Sequence, residues 1–180
     1  MLDIKKIKNI KEKIVKIKRV CKVTKGRRDF SFTCIIVKGN YNGIVGYGMG
    51  KSKEIPKSIY KAGVKANKNL IKIPIVNETI PHEQSYKYCS TKIFLYPAYK
   101  GTGVIAGGSA RIVLKLAGIK NVYSKFIGSS NVYNCVKATY NALKEIKKNN
   151  NLFKKKIITD NIKISKKAYK YKKNGIKYLN

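Results

Sequence analysis

The sequence has no tryptophan, a single histidine, and only eight Asp and Glu residues against 41 Lys and Arg. An acid–base pair or a carboxylate–imidazole relay has almost nothing to be built from, so enzymatic function is not expected. His82 reads as a linker or core residue. Cysteine is sparse too: the four, at 21, 34, 89 and 135, form no C-x-x-C pair. Zinc needs clustered ligands, so no metal site is expected, and the cysteines read as buried structural thiols in a reducing compartment. No apolar run approaches the ~20 residues that a membrane-spanning helix requires. A membrane partner is not expected.

What is present in excess is positive charge. The net charge is +33 and the isoelectric point about 10.1. A compact chain with that excess repels itself unless a polyanion screens it, so the expected partner is nucleic acid. Lysine outnumbers arginine 37 to 4. RNA chemistry alone would favour arginine, whose planar fork binds phosphate bidentately. Lys, Asn, Ile, Tyr and Phe share A/T-rich codons, so the bias points to an AT-rich genome such as that of a reduced organelle or a symbiont.

Residues 1–14 space Ile4, Ile7, Ile10 and Ile14 among lysines and read as a solvated basic arm. Asp3 and Glu12, and the lack of Arg and Ser there, argue against a mitochondrial presequence. A strand is predicted over 14–23, with Val15, Ile17, Cys21 and Val23 on one face. A second spans Phe30 to Lys38, with Phe30, Phe32, Cys34 and Ile36 in one row. The turn Gly39-Asn40-Tyr41-Asn42-Gly43 leads into a third strand at about 44–50. The spacing of Ile55, Ile59, Ala62, Ala66 and Leu70 predicts a helix over 55–70, with Pro56 in its first turn.

Residues 73–84 read as a linker. A second α/β unit follows: a strand at 91–96, a glycine-rich loop at 101–108 and a helix over 109–117 capped by Gly118. A strand at 121–127 then leads to a helix started by Ser129, Ser130 or Asn131. Twelve lysines among the last 34 residues predict a tail that is free or folds on RNA. The expected organisation is thus an arm (1–14), two small α/β domains (15–80 and 81–148) and a tail (149–180), an α+β fold overall.

Two glycine motifs imitate nucleotide loops. Gly46, Gly48 and Gly50 occupy every second position of one strand, leaving one face bare for close approach, either by the helix that follows or by RNA. Gly50-Lys51-Ser52 lacks the earlier glycine of a nucleotide loop, since Val45 stands there. Gly101-Thr102-Gly103-Val104-Ile105-Ala106 fits a dinucleotide fingerprint, but Glu83 and Glu145 enclose a stretch without any acid to hold a ribose. No cofactor or small-molecule substrate is expected. What survives is a glycine-rich turn feeding a helix start, where backbone N–H groups favour a phosphate.

The ordered set Lys25-Gly26-Arg27-Arg28-Asp29-Phe30-Ser31-Phe32, Asn42 to Lys51, Glu54-Ile55-Pro56, Gly101 to Gly108, Arg111 and Gly128-Ser129-Ser130-Asn131 resembles the bacterial-type fifth protein of the small ribosomal subunit. The resemblance implies a first domain like a double-stranded-RNA-binding domain, with a three-stranded sheet and a helix. It implies a second built on a left-handed β-α-β crossover, against the usual hand. The implied role is in subunit assembly, decoding accuracy and the mRNA entry channel, on a ribosome placed by the codon bias in a plastid, or else in a mitochondrion or symbiotic bacterium; the alternative reading is a free double-stranded-RNA-binding protein or RNA chaperone. The implied partners are small-subunit rRNA, mRNA, and the fourth and eighth small-subunit proteins, with the third a further candidate. The expected rRNA-binding residues are Lys22, Lys25, Gly26, Arg27, Arg28, Gly46, Gly48, Gly50, Lys51, Lys53, Gly107, Gly108, Ser129, Ser130 and Asn131. Gly103 and Arg111 are expected to adjoin the fourth protein. Two positions depart from the family pattern: Arg27 replaces a glycine and Val132 a proline.

Overall fold

A computed structural model describes residues 9–146. The lysine-rich tail and the first half of the N-terminal arm lie outside them. Among the described residues, two four-stranded sheets carry three helices. The first sheet has the order β1 (Lys11–Thr24), β2 (Arg27–Gly39), β3 (Ile44–Ser52), β4 (Ile71–Lys72), antiparallel throughout, with α1 (Ile55–Lys68) between β3 and β4. The second has the order β5 (Gln84–Tyr88), β6 (Thr91–Pro97), β8 (Val122–Gly128), β7 (Val104–Ile105). Strands β7 and β8 run parallel and are joined through α2 (Gly108–Ala117), a β-α-β unit within an otherwise antiparallel sheet. Helix α3 spans residues 132–146.

Strand β1 starts at Lys11, so the last residues of the expected arm are paired backbone, Lys11 opposite Gly39 and Ile14 opposite Ile36. Its expected apolar face is not buried. A bulge at Val15 shifts the register, and it is Val15 and Val20 that are half-buried, while Cys21 and Val23 are exposed. Cys89 is exposed as well, so only Cys34 and Cys135 are the buried thiols expected. Three strands were not read from sequence: the two-residue β4 that adds a fourth strand to the first sheet, β5 at the end of the supposed linker, and the two-residue β7 inside the glycine-rich loop.

Helix α1 lies directly on β3. Four helical residues rise about 6 Å and two strand residues about 6.6 Å, so Ser58, Ala62 and Ala66 keep step with Gly50, Gly48 and Gly46. Small residues on both elements let the backbones touch. A Cβ at Gly46 would lie 2.6 Å from the Ala66 carbonyl oxygen, and one at Gly50 would lie 2.6 Å from the Ala62 nitrogen.

Strand β2 is buried on both faces from Cys34 to Val37. Cys34 and Ile36 pack under α1 with Ala62, whereas Ile35 and Val37 face the other way, into a larger core with Val45. That core continues through Ile93 and Leu95 of β6, Val113 and Leu114 of α2, Val122 of β8, and Leu143 and Ile146 of α3. A polar joint reinforces it. The carbonyls that end α2 have no partner within the helix, and the β2–β3 turn supplies them. Tyr41 N–H donates to the Leu116 oxygen at 3.0 Å, and Gly43 N–H to the Ala117 oxygen at 2.8 Å.

A second joint runs from α3 to the end of α1. The Tyr140 hydroxyl donates to the Asn69 carbonyl at 2.9 Å, and its ring meets Tyr47 edge-on at 4.7 Å. Burial, helped by Tyr47, pushes the Tyr140 hydroxyl up to about 12. A raised value stabilises the fold below the ordinary tyrosine value near 10, and that stability is lost as pH rises toward 12. We expect Tyr140→Phe to cost about 1 kcal/mol at neutral pH and to flatten the alkaline loss of stability. Urea titrations of both proteins at pH 7 and across pH 10 to 12 check both effects.

Candidate nucleic-acid interface

Strand β3 pairs with β2 only from Phe32 onward, so residues 20–31 continue past the sheet as a two-stranded ribbon. Five residues per strand give it a length of about 17 Å. Such a ribbon is marginal alone, and side chains brace it. The Arg19 guanidinium lies 3.9 Å from the centre of the Phe30 ring. Arg27 Nε pairs with Asp29 Oδ1 at 2.9 Å, and the Thr24 hydroxyl donates to the Arg27 carbonyl at 3.2 Å.

The tip is a two-residue turn, Lys25-Gly26. Gly26 has φ +72°, with nothing near a would-be Cβ. Arg27, in place of the family glycine, already belongs to β2 opposite Thr24 and keeps an ordinary φ. The substitution therefore leaves the turn intact. It adds a cation that Asp29 partly neutralises. Arg28, opposite Val23, is exposed and has no ion-pair partner among the described residues.

One face of the ribbon and sheet is a lysine strip. Lys16, Lys18 and Lys22 alternate along β1, and the row Lys18, Thr33, Lys51 crosses three strands. All four lysines are exposed. Lys53 is exposed just beyond β3. The first sheet thus gathers Lys22, Lys25, Gly26, Arg27, Arg28 and Lys51 onto its free end. Lys16 and Lys18 belong with them, although the family resemblance pointed to neither.

The remaining residues are placed differently. Gly46, Gly48 and Gly50 are buried beneath α1, so the face they leave bare is filled by helix backbone and is closed to RNA. This corrects their assignment as direct contacts. Gly107 and Gly108 are exposed at the start of α2, where Gly107 offers no side-chain cap and no acid occupies the first turn. Among the glycine-rich loop's backbone donors, Gly101 and Gly103 N–H both point to buried Asn121, whose Oδ1 accepts each at 3.1 Å. Asn121, not an anion, organises that loop, and sequence offered no sign of it. Gly103 has φ +77° and is half-buried, and Arg111 is exposed one turn into α2.

Asn131 caps α3 through Oδ1, which accepts from Tyr133 N–H at 3.3 Å. Its side chain therefore serves the fold despite Val132 replacing the family proline. Ser129 Oγ accepts from Asn131 N–H at 3.2 Å, and Ser130 is exposed.

An exposed arginine ribbon, a lysine strip across one sheet face and few carboxylates to neutralise them define a nucleic-acid-binding protein made of two α/β modules. Comparison with known proteins identifies its kind. Residues 10–74 match the family model described as ribosomal protein S5, N-terminal domain, and residues 86–156 match ribosomal protein S5, C-terminal domain. The small ribosomal subunit protein uS5 of Karelsulcia muelleri is 56% identical over 139 residues, covering 77% of this chain and 81% of that protein. The protein of the same name from Bacteroides thetaiotaomicron is 50% identical over 138 residues, 77% of this chain and 80% of that one. That of Thermotoga neapolitana is 47% identical over 135 residues, 75% and 76% of the two chains. The chain belongs to the ribosomal protein S5 family. It is a non-enzymatic constituent of the small ribosomal subunit that binds rRNA and other small-subunit proteins.

Proposed function

We propose that the chain holds rRNA chiefly through the β1–β2 ribbon and its lysine strip, with Arg28 and Lys25 at the tip and Lys16, Lys18, Lys22 and Lys51 along the face. The observation that carries this reading is the ribbon's extension beyond the sheet, where cations are exposed and, among the described residues, only Asp29 opposes them. Residues 15–80 then act as the main RNA-binding domain. Residues 81–148 contribute the exposed start of α2 at Gly107 and Gly108 to a phosphate, and present Gly103 and Arg111 to the fourth small-subunit protein. The same subunit position puts the eighth and third proteins and the mRNA entry channel within the chain's neighbourhood, as the family resemblance implies. Bacterial relatives, one of them from an endosymbiont, favour an AT-rich bacterial ribosome over the plastid that codon bias alone suggested.

Arg28→Ala tests the ribbon. Its affinity for small-subunit RNA should fall modestly, and the slope of log affinity against log salt should become shallower by about one unit. Fluorescence anisotropy over a salt series reads both. An unchanged slope means Arg28 touches no phosphate and refutes the ribbon's assigned role.

A further inference from the structure

The second sheet has one face packed on the core and one face open. Along β6 the residues on the open face are Lys92, Tyr96 and the half-buried Phe94. Along β8 they are Tyr123, Lys125 and Ile127, along β5 Ser85 and Lys87, and on β7 Ile105. Register sets them in rows. Tyr123 stands between Tyr96 and Ile105, Phe94 between Lys125 and Ser85, and Lys92 between Ile127 and Lys87. The Phe94 and Tyr96 rings lie parallel within 2°, their centres 6.5 Å apart. Lys92 Nζ sits 4.5 Å from the centre of the Phe94 ring. Tyr96 and Tyr123 are each 44% exposed, and Ile127 is 56% exposed.

We propose that this open face is a stacking platform for unpaired nucleotides of the small-subunit RNA. Flat rings in register on a sheet offer π-faces on which bases stack, and interleaved lysines meet the phosphates between them. The charge is complementary: β5, β6, β7 and β8 contain no Asp or Glu. Glu83, at the edge of the shallow recess lined by Phe94, Tyr96 and Ser85, is the one acid beside it among the described residues. Exposed tyrosine and isoleucine on one sheet face call for a standing partner, which favours structural RNA over a passing strand. The platform is separate from the ribbon of the first sheet. It reads bases by stacking where the ribbon meets phosphates.

The test uses the full chain with Tyr96→Leu and Tyr123→Leu, singly and together. Leucine keeps an apolar side chain on an exposed strand and removes the π-face. Binding of labelled nine-nucleotide oligouridine and of a 16-base-pair RNA duplex is followed by anisotropy at several salt concentrations. The double variant should bind oligouridine roughly tenfold or more weakly, by a similar factor at each salt concentration, with duplex affinity unchanged. Retained duplex binding also shows that the variant is folded. Equal loss on both RNAs, or no loss on oligouridine, overturns the proposal. Ultraviolet crosslinking of assembled small subunits identifies the occupant. Adducts between the β6 or β8 peptides and unpaired rRNA nucleotides support it. Adducts to mRNA alone, or a neighbouring protein covering this face, overturn it while leaving the ribbon's role untouched.

Discussion

Gly48→Val should leave little folded protein. A Cβ there would meet the Ala62 carbonyl oxygen and would lie 2.5 Å from the Ala66 nitrogen, so the obstacle is helix backbone and not a side chain that can rotate away. Relief requires α1 to lift from β3, which would expose Cys34, Ile36 and Ala62. The expected cost is about 3 kcal/mol or more, a large share of the stability of a domain this size. Thermal melting by circular dichroism measures it. Gly26→Ala is the control, because its cost arises only from a positive φ at an open turn and should be about 1 kcal/mol. Similar losses in the two variants would show that α1 does not bear on the glycine face as described. Any assembly defect of Gly48→Val then follows from the fold, since the buried glycine offers RNA no surface.

The largest functional effect should come from neutralising the β1 lysines of the strip together with the ribbon's tip. Lys16, Lys18, Lys22, Lys25 and Arg28 changed together to glutamine removes five exposed cations and spares Arg27, which pairs with Asp29. If each meets one phosphate of duplex RNA, the salt slope should fall by roughly four to five units, at about 0.9 per contact. Affinity at about 0.15 M salt should fall on the order of a thousandfold. Stability should hold or rise slightly, because all five are exposed in a chain whose like charges repel. A slope change of one unit or less would place the RNA on a different face.

Much of this was legible because strands and helices announce themselves by periodicity. The alternation of Phe32, Cys34 and Ile36, and the four-residue spacing of Ala62 and Ala66, placed β2 and α1 before any geometry was available. The glycines of β3 declared a bare face but not its occupant. The deciding clue was the matching row Ser58, Ala62, Ala66, which has meaning only once helix and strand are seen to run alongside each other. Strand β5 escaped notice because its Tyr86 and Tyr88 are half-buried against α3 through their hydroxyls: Asn141 donates to Tyr86 and Lys137 to Tyr88. Alternation of tyrosine with serine and lysine is a weak hydrophobic signal. Asn121 was invisible for another reason. Its role depends on Gly101 and Gly103, 20 and 18 residues away, converging on one oxygen.

The lysine strip sharpened the meaning of the charge. A net +33 fits any polyanion binder, whereas Lys16, Lys18 and Lys22 along β1, with Lys51 across Thr33 from Lys18, give that charge a direction. The excess of lysine over arginine is a matter of codons; the positions that the sheet turns toward one side are a matter of structure.

The most direct test of the whole account is hydroxyl-radical probing of small-subunit RNA from iron chelates tethered at Cys21 on the ribbon, with Cys89 changed to serine. Cys21 and Cys89 are the exposed thiols among the four. The account predicts strong, localised rRNA cleavage within assembled small subunits, abolished when the five strip and tip cations are neutralised. Assembled subunits showing no rRNA cleavage from Cys21 would contradict it.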